Sequence, residues 1–381
     1  MLQTFPLTLK LFKIPDMKII ILPAFLIIAV FSSCKKEINK NSISSSQNNN
    51  SVVSPSGIIA TPSAYWDSVF TRYGNGWTGG DIAYSYKLND ERSVWFFGDS
   101  FLDTVYANRK RPVNGFIHSV FATTTNLGND FTTIVGGTLQ NPKTLFPAKD
   151  PIQYWSNCAF TNTSGTKLYV QLVTIKSTGE GGLFGFETIG NATGIMSLPD
   201  FKLEKIITTN NNGKIDWSSN TYEEGDYVYV YGAESTKYNK FIHVNRRKRN
   251  TPFKNIEFYN GSAWVADSAQ SARIFSGVSE QFSFFKHKNK YYLLSQGNLL
   301  DDDIFMWDAA SPAGPFTRKR HVYKTPQYGG NIITYNATVH YEFTEGDKLL
   351  VGYCTNSNDG KDLFRNADIY RPYFITIENW Q

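Results

Sequence analysis

Apolar and polar positions alternate along most of this chain in short runs, and the runs come in pairs joined by turn residues. The clearest pair is Asp81-Ile82-Ala83-Tyr84-Ser85-Tyr86-Lys87 and Ser93-Val94-Trp95-Phe96-Phe97-Gly98, with Asn89-Asp90-Glu91-Arg92 between them. Aromatic and β-branched residues flanking a polar cluster predict a β-hairpin. Antiparallel pairing then folds Asp99 back onto Asp81. A three-residue loop sets the two face to face, and a four-residue loop sets Asp81 opposite Ser100. Either register leaves two carboxylates roughly 5–8 Å apart.

The pattern recurs four more times, in hairpins that start at Asn157, Ile215, Glu280 and Asn336. The five turns lie near Asp90, Ser164, Glu224, Lys288 and Gly346, so successive spacings are about 74, 60, 64 and 58 residues. That period holds four strands and is at the upper end for propeller blades. Residues 115–124, 184–188 with 201–208, 241–245 with 256–259, and 304–307 with 321–324 supply outer strands. The last blade has 367–377, and residues 68–72 are the expected donors of its closing strand. The predicted fold is all-β, a five-bladed β-propeller of four-stranded antiparallel blades over 58–381. A β-sandwich would need turns every 8–12 residues and no period near 60.

Before the repeats the pattern changes twice. Lys18 precedes an apolar run over 19–30 and then Phe31-Ser32-Ser33-Cys34, too short for a membrane span and suited to a signal peptide. Cys34 behind small serines resembles a bacterial lipobox. On this reading synthesis starts at Met17, residues 1–34 are the signal, and lipidated Cys34 holds the protein at a membrane surface of the Gram-negative cell envelope, on the periplasmic side or at the cell surface. Residues 35–57 are rich in Asn and Ser and lack apolar residues enough to fold, which predicts a disordered tether.

Composition agrees with this picture. Aromatics make up 15% of the chain, glycines number 29, and the net charge is +5, part of it in the leader and tether. A near-neutral domain gives no sign of a nucleic-acid partner. Cys158 and Cys354 fall in apolar runs and read as buried free thiols, with a disulfide as the alternative in an oxidising compartment.

Inner strands of a propeller run the same way along its channel, so polar residues at their starts converge. Asp81, Asn157, Glu280 and Asn336 occupy such starts, the third hairpin offers Asp216, Ser219 or Asn220, and Asp99 joins from a second strand. Close carboxyls suit glycoside hydrolysis, in which one group holds a proton for the leaving oxygen while another activates water or attacks the sugar. The catalytic candidates are therefore Asp81 as base or nucleophile, Asp99 as the group that tunes it, and Glu280 as acid. Asn157 and Asn336 are candidate substrate contacts. Tyr84, Trp77, Trp155 and Trp217 lie near the expected mouth, where flat rings stack on sugars; Tyr84, Trp155 and Trp217 are retained as binding candidates.

Other chemistries are less well supported. The histidines 118, 243, 287, 321 and 340 lack zinc-ligand spacing; His340, on an inner strand, leaves room for a structural ion or water in the channel, and no other metal or cofactor is expected. Asp301-Asp302-Asp303 lacks the glycine and terminal glutamate of a calcium loop and reads as an acidic turn. Arg246-Arg247-Lys248-Arg249 reads as a solvated loop.

Several motifs together resemble a known family. Asp81, the Trp95-Phe96-Phe97-Gly98-Asp99-Ser100-Phe101 stretch, Asn114-Gly115, Ser279-Glu280, Ser311-Pro312-Ala313-Gly314-Pro315-Phe316 and Asp368-Ile369-Tyr370-Arg371-Pro372-Tyr373-Phe374 look like secreted domains of formerly unknown function. These are five-bladed propellers similar to glycoside hydrolases that include endo-D-arabinanases. The resemblance spans roughly residues 60–380. It implies glycan cleavage, with Asp81 and Asp99 matching the acidic motifs and an arabinan-like substrate in range. A non-catalytic glycan-binding or surface-assembly lipoprotein is the second expectation.

Overall fold

Each predicted hairpin is the inner half of a four-stranded meander, because its second strand has a free edge and the following apolar run pairs onto it. The protein was studied as a computed structural model, which describes residues 51–113, 116–180, 185–209, 214–297 and 300–381. The signal, Cys34 and most of the tether lie outside these, as does the Asn114-Gly115 motif.

Blade 1 orders Trp77–Lys87, Ser93–Leu102, Ile117–Thr124 and Thr132–Ile134 from the channel outward. Blade 2 orders Ile152–Thr161, Lys167–Ser177, Phe186–Ser197 and Lys202–Thr209. Blade 3 runs Ile215–Glu224, Tyr227–Ser235 and Lys240–Lys248, with Glu257–Tyr259 and Trp264–Val265 beyond and Phe275–Ser276 on the same edge. Blade 4 comprises Ser283–His287, Lys290–Gln296, Asp303–Ala309 and Phe316–Lys324. Blade 5 starts with Ile332–Val339, Leu349–Ser357 and Pro372–Glu378, and the N-terminal strands Ile59–Pro62 and Val52–Val53 complete it.

That closure corrects the expected donor. Residue 68 belongs to the helix Ala64–Val69, whose N-cap Ser63 accepts from the Trp66 amide. The helix forms because Trp66, Val69 and Phe70 fall at helical spacing on one face, and they pack with Trp77, Trp95 and Phe374 between blades 1 and 5. The extended stretch Ile58-Ile59-Ala60 is the part left to pair, and Ile58 and Ala60 are wholly buried by it. The closing strands draw on residues 52–53, inside the expected tether.

Most aromatic residues fill the seams between blades. Trp77, Trp95, Phe96, Phe97 and Phe121 are fully buried. Cys158 and Cys354 are buried free thiols. The 246–249 run is no solvated loop: its first three residues end the strand Lys240–Lys248, Arg247 is buried against Asn245, Arg246 pairs with Glu257 and Arg249 with Glu223. The acidic turn at 301–303 is the one cluster among the described residues whose three ligand atoms lie within 4.8 Å of one another. Lys324 and His321 pair with its carboxylates.

Cross-blade bonds fix the direction of the inner strands. Asp81 meets Tyr335 and Ser85 meets His340; Asn157 meets Ser218 and Thr161 meets Glu223. Residue numbers rise together in both sets, so these strands are parallel. Their polar positions therefore gather at one end.

Candidate functional site

In blades 1, 2 and 5 the inner strands begin earlier than the hairpin pattern suggested, and the polar residues sit where pairing breaks; blade 4 corrects the expectation the other way, since its inner strand starts at Ser283 and leaves Glu280 in the segment before it. Blade 1 shifts register between Gly80 and Ile82 and again before Tyr84. Blade 2 skips Asn157, blade 3 breaks between Asp216 and Asn220, and blade 5 between Tyr335 and Thr338. A bulge bends the strand and re-aims the side chain beside it. In blade 1 the distortion puts Ile82 at φ 70° and Ala83 at φ 50°, a left-handed conformation that a β-branched residue adopts only under constraint. Asp81 immediately precedes this strained pair.

The Asp81 carboxyl is enclosed by blade 5. The Tyr335 hydroxyl donates to its Oδ2 at 2.8 Å, and Asn356 Nδ2 donates to that hydroxyl at 3.2 Å. Tyr370 also bonds to the carboxyl, while its own carbonyl accepts from the Gly80 amide at 3.1 Å. Burial and the neighbouring charge of Asp99 push the Asp81 proton affinity up to about 7, against the opposing effect of the two tyrosine hydroxyls. Asp81 and Asp99 are neighbours in the hairpin, through a bulge that places Asp81 across from Gly98 and Asp99.

Asp99 stands directly opposite His118 on the third strand of blade 1. Its Oδ1 shares a hydrogen bond with His118 Nδ1 at 2.5 Å and accepts from Trp155 Nε1 at 2.8 Å. Trp155, on the inner strand of blade 2, is part-exposed and edge-on to Phe186 with ring centroids 4.5 Å apart. It is the aromatic candidate that touches an acid.

A second polar cluster joins blades 2, 3 and 4. Asp216 Oδ1 accepts from Asn191 at 2.6 Å and from Ser218 at 2.5 Å, and Asn157 donates to Ser218 at 2.9 Å. Burial raises the Asp216 proton affinity. Lys240, 5% exposed, is pushed down to about 8 by burial and contacts Glu280, which Ser235 also reaches. Asp216 and Glu280 line one cavity of about 150 Å³ with Asn191 and Ser235.

The other candidates are placed differently from expectation. Trp217 is packed against Phe258 and His243 in the seam with Phe160 and Tyr169, so its ring is not free for a sugar. Trp77 is wholly buried on Phe97. Tyr84 lies past the bulge, bonded toward Thr221 and packed in the seam between blades 1 and 2. Asn157 and Asn336 are 5% and 8% exposed, so they brace the site from within. His340 is wholly buried between the rings of Trp95 and Phe374, its Nδ1 against the Ser85 hydroxyl, and burial lowers it to about 3, which keeps it neutral.

His118, Tyr335, Tyr370 and Lys240 were missed. Tyr370 sits in the Asp368-to-Phe374 motif, which was the available signal. His118 gave none, because a connection of more than ten residues hides its register with Asp99.

The comparisons agree with the architecture. No curated protein matches the chain. A solved Bacteroides ovatus protein described as a candidate hydrolase is similar at 20% identity with a TM-score of 0.72, over 91% of this chain and 98% of that one. A Bacillus subtilis family 43 arabinoxylan arabinofuranohydrolase matches at 14% identity and TM-score 0.47, over 78% and 63% of the two chains. A Podospora anserina α-L-arabinofuranosidase matches at 10% identity and TM-score 0.46, over 80% and 92%. At these identities the likeness is one of fold. Residues 63–380 match the family described as Domain of unknown function (DUF5005), and the chain belongs to it.

Proposed function

We propose that this protein is a glycoside hydrolase whose central reacting group is Asp81. The observation that carries the reading is a pair of neighbouring carboxyls in unlike surroundings. Asp81 is enclosed and loses its proton near neutral pH, while Asp99 is held by the Trp155 N–H and a ring nitrogen of His118. A base whose proton affinity is raised toward the working pH is well matched to taking a proton from water. The propeller fold shared with a protein described as a candidate hydrolase is consistent with the class.

In this reading Asp81 takes a proton from the attacking water as the water oxygen bonds to the anomeric carbon. The glycosidic C–O bond breaks with its electron pair on the leaving oxygen, which takes a proton from Glu280. An opposite charge at contact favours a carboxylate's ionised form, so the Glu280–Lys240 contact has to open before Glu280 serves as acid. Glu280→Gln should slow cleavage of an unactivated glycan by roughly 10²-fold, a typical contribution of a general acid, and should hardly affect an aryl glycoside whose leaving group needs no proton. Equal losses on both substrates, measured by product release, would remove Glu280 from the acid role.

The same Glu280–Lys240 contact favours a second reading, a glycan-binding protein without turnover. Saturable binding of an oligosaccharide with no product over days would establish that reading.

The leader supports a lipid anchor at Cys34 in the cell envelope. Mass spectrometry of the native protein should find a lipidated Cys34 as the first residue. An unmodified Cys34, or an intact segment before it, would refute the anchor.

A further inference from the structure

The two acids of blade 1 differ in the kind of partner they meet. Tyrosine hydroxyls contact Asp81, and a hydroxyl can donate to a carboxylate or turn and accept from a carboxylic acid. Asp99 is met by an indole N–H, which only donates, and by a ring nitrogen of His118. Both partners hold the same carboxylate oxygen, which fixes how the Asp99 carboxyl is turned. The remaining titratable groups facing Asp81 are Tyr335 and Cys354 on blade 5 and Tyr370 beside it, and burial raises all three, so each stays neutral near pH 7.

His118 reaches Asp99 because the second and third strands of blade 1 set the two residues directly opposite. Cross-strand neighbours are the closest side-chain pairs a sheet provides. Trp155 comes from the next blade, so Asp99 is gripped from two independent elements.

We infer that His118 is a positioning residue: with Trp155 it fixes the Asp99 carboxyl in place beside Asp81, so that the proton on Asp81 is governed by where Asp99 is held. The inference rests on Asp81 and Asp99 being the reacting pair, yet it concerns proton placement and can be read without a substrate. His118 touches no reacting atom in this account and acts through Asp99.

The test is a carboxyl-carbon NMR titration of the full folded domain labelled at aspartate, comparing wild type with His118→Leu and His118→Asn. In the wild type the carboxyl titrating near neutral pH should be Asp81, assigned by its loss in Asp81→Asn. His118→Leu frees the Asp99 carboxyl to turn away from Asp81 and should lower the Asp81 titration by about one pH unit. His118→Asn, whose amide N–H lies close to where Nδ1 was, should restore the wild-type curves. Unmoved titrations in a folded His118→Leu would overturn the proposal, as would failure of His118→Asn to restore them. Should His118→Leu not fold, Trp155→Phe removes the indole N–H that holds Asp99 and must shift Asp81 in the same direction. A shift as expected in a protein that cleaves no glycan would keep the positioning role and refute the hydrolase reading alone.

Discussion

Asp81→Asn should give a protein that is more stable than wild type at pH 8 and inactive on any glycan the wild type cleaves. The stability gain follows from linkage. In the unfolded chain Asp81 ionises around its ordinary value of 3.8, whereas in the fold it holds its proton to about 7. Between those values the folded state binds more protons than the unfolded state, so stability falls as pH rises. Below about 4 the group is neutral in both states and there is no penalty; above about 7 the penalty is complete. A shift of this size corresponds to at most about 4 kcal/mol. An asparagine keeps the shape, accepts from one tyrosine hydroxyl and donates to the other. Melting curves should therefore show a gain of several degrees at pH 8 that disappears at pH 4. Activity should fall on the order of 10³-fold or more, since a reacting carboxyl has no substitute in the site. A variant destabilised at pH 8 would show that the Asp81 carboxyl is not held under strain.

Gly98→Ala should damage the same carboxyl without altering any charge. Gly98 immediately precedes Asp99 in the motif and does not need glycine for its backbone angles, as it is absent from the positive-φ positions. It needs the space. A Cβ at this position would lie 2.7 Å from Asp81 Oδ1 and 2.9 Å from Ile82 Cδ1. The carboxyl cannot swing freely, because Tyr335 and Tyr370 hold it and the bulge fixes Ile82. Overpacking of this kind costs about 1–3 kcal/mol, and moving a reacting atom by about 1 Å can cost 10²-fold in rate. A lower melting temperature together with a rate loss near 10²-fold is expected. A folded Gly98→Ala with the wild-type rate and an unmoved Asp81 titration would contradict the packing account.

These two effects also show what a linear reading captures and what it leaves out. The hairpin alternation around Asp90 and its recurrence every sixty residues were enough for five blades, because a propeller is built from local meanders. The neighbouring positions of Asp81 and Asp99 followed from one turn. The closing strand was misplaced because it pairs with the far end of the chain, and over 64–69 a helical apolar face outweighed extended propensity. Bulges were invisible: they are set by contacts between blades, and they moved Asn157 and Asn336 from a supposed mouth into buried positions. Trp217 was assigned by its distance from a strand start, while packing against Phe258 decides where its ring goes. The partners of the acids, Tyr335, Tyr370, His118 and Lys240, come from three other strands and a connecting segment, so no spacing along the chain announces them.

The most direct test of the central claim is product release from a panel of linkage-defined oligosaccharides, arabinans among them, by wild type and Asp81→Asn in parallel. At least one glycan should be cleaved by the wild type, at a rate that rises as pH increases through about 7 where Asp81 loses its proton, and none by Asp81→Asn. Equal cleavage by both proteins, or a wild-type rate that falls as pH rises through 7, would contradict that claim.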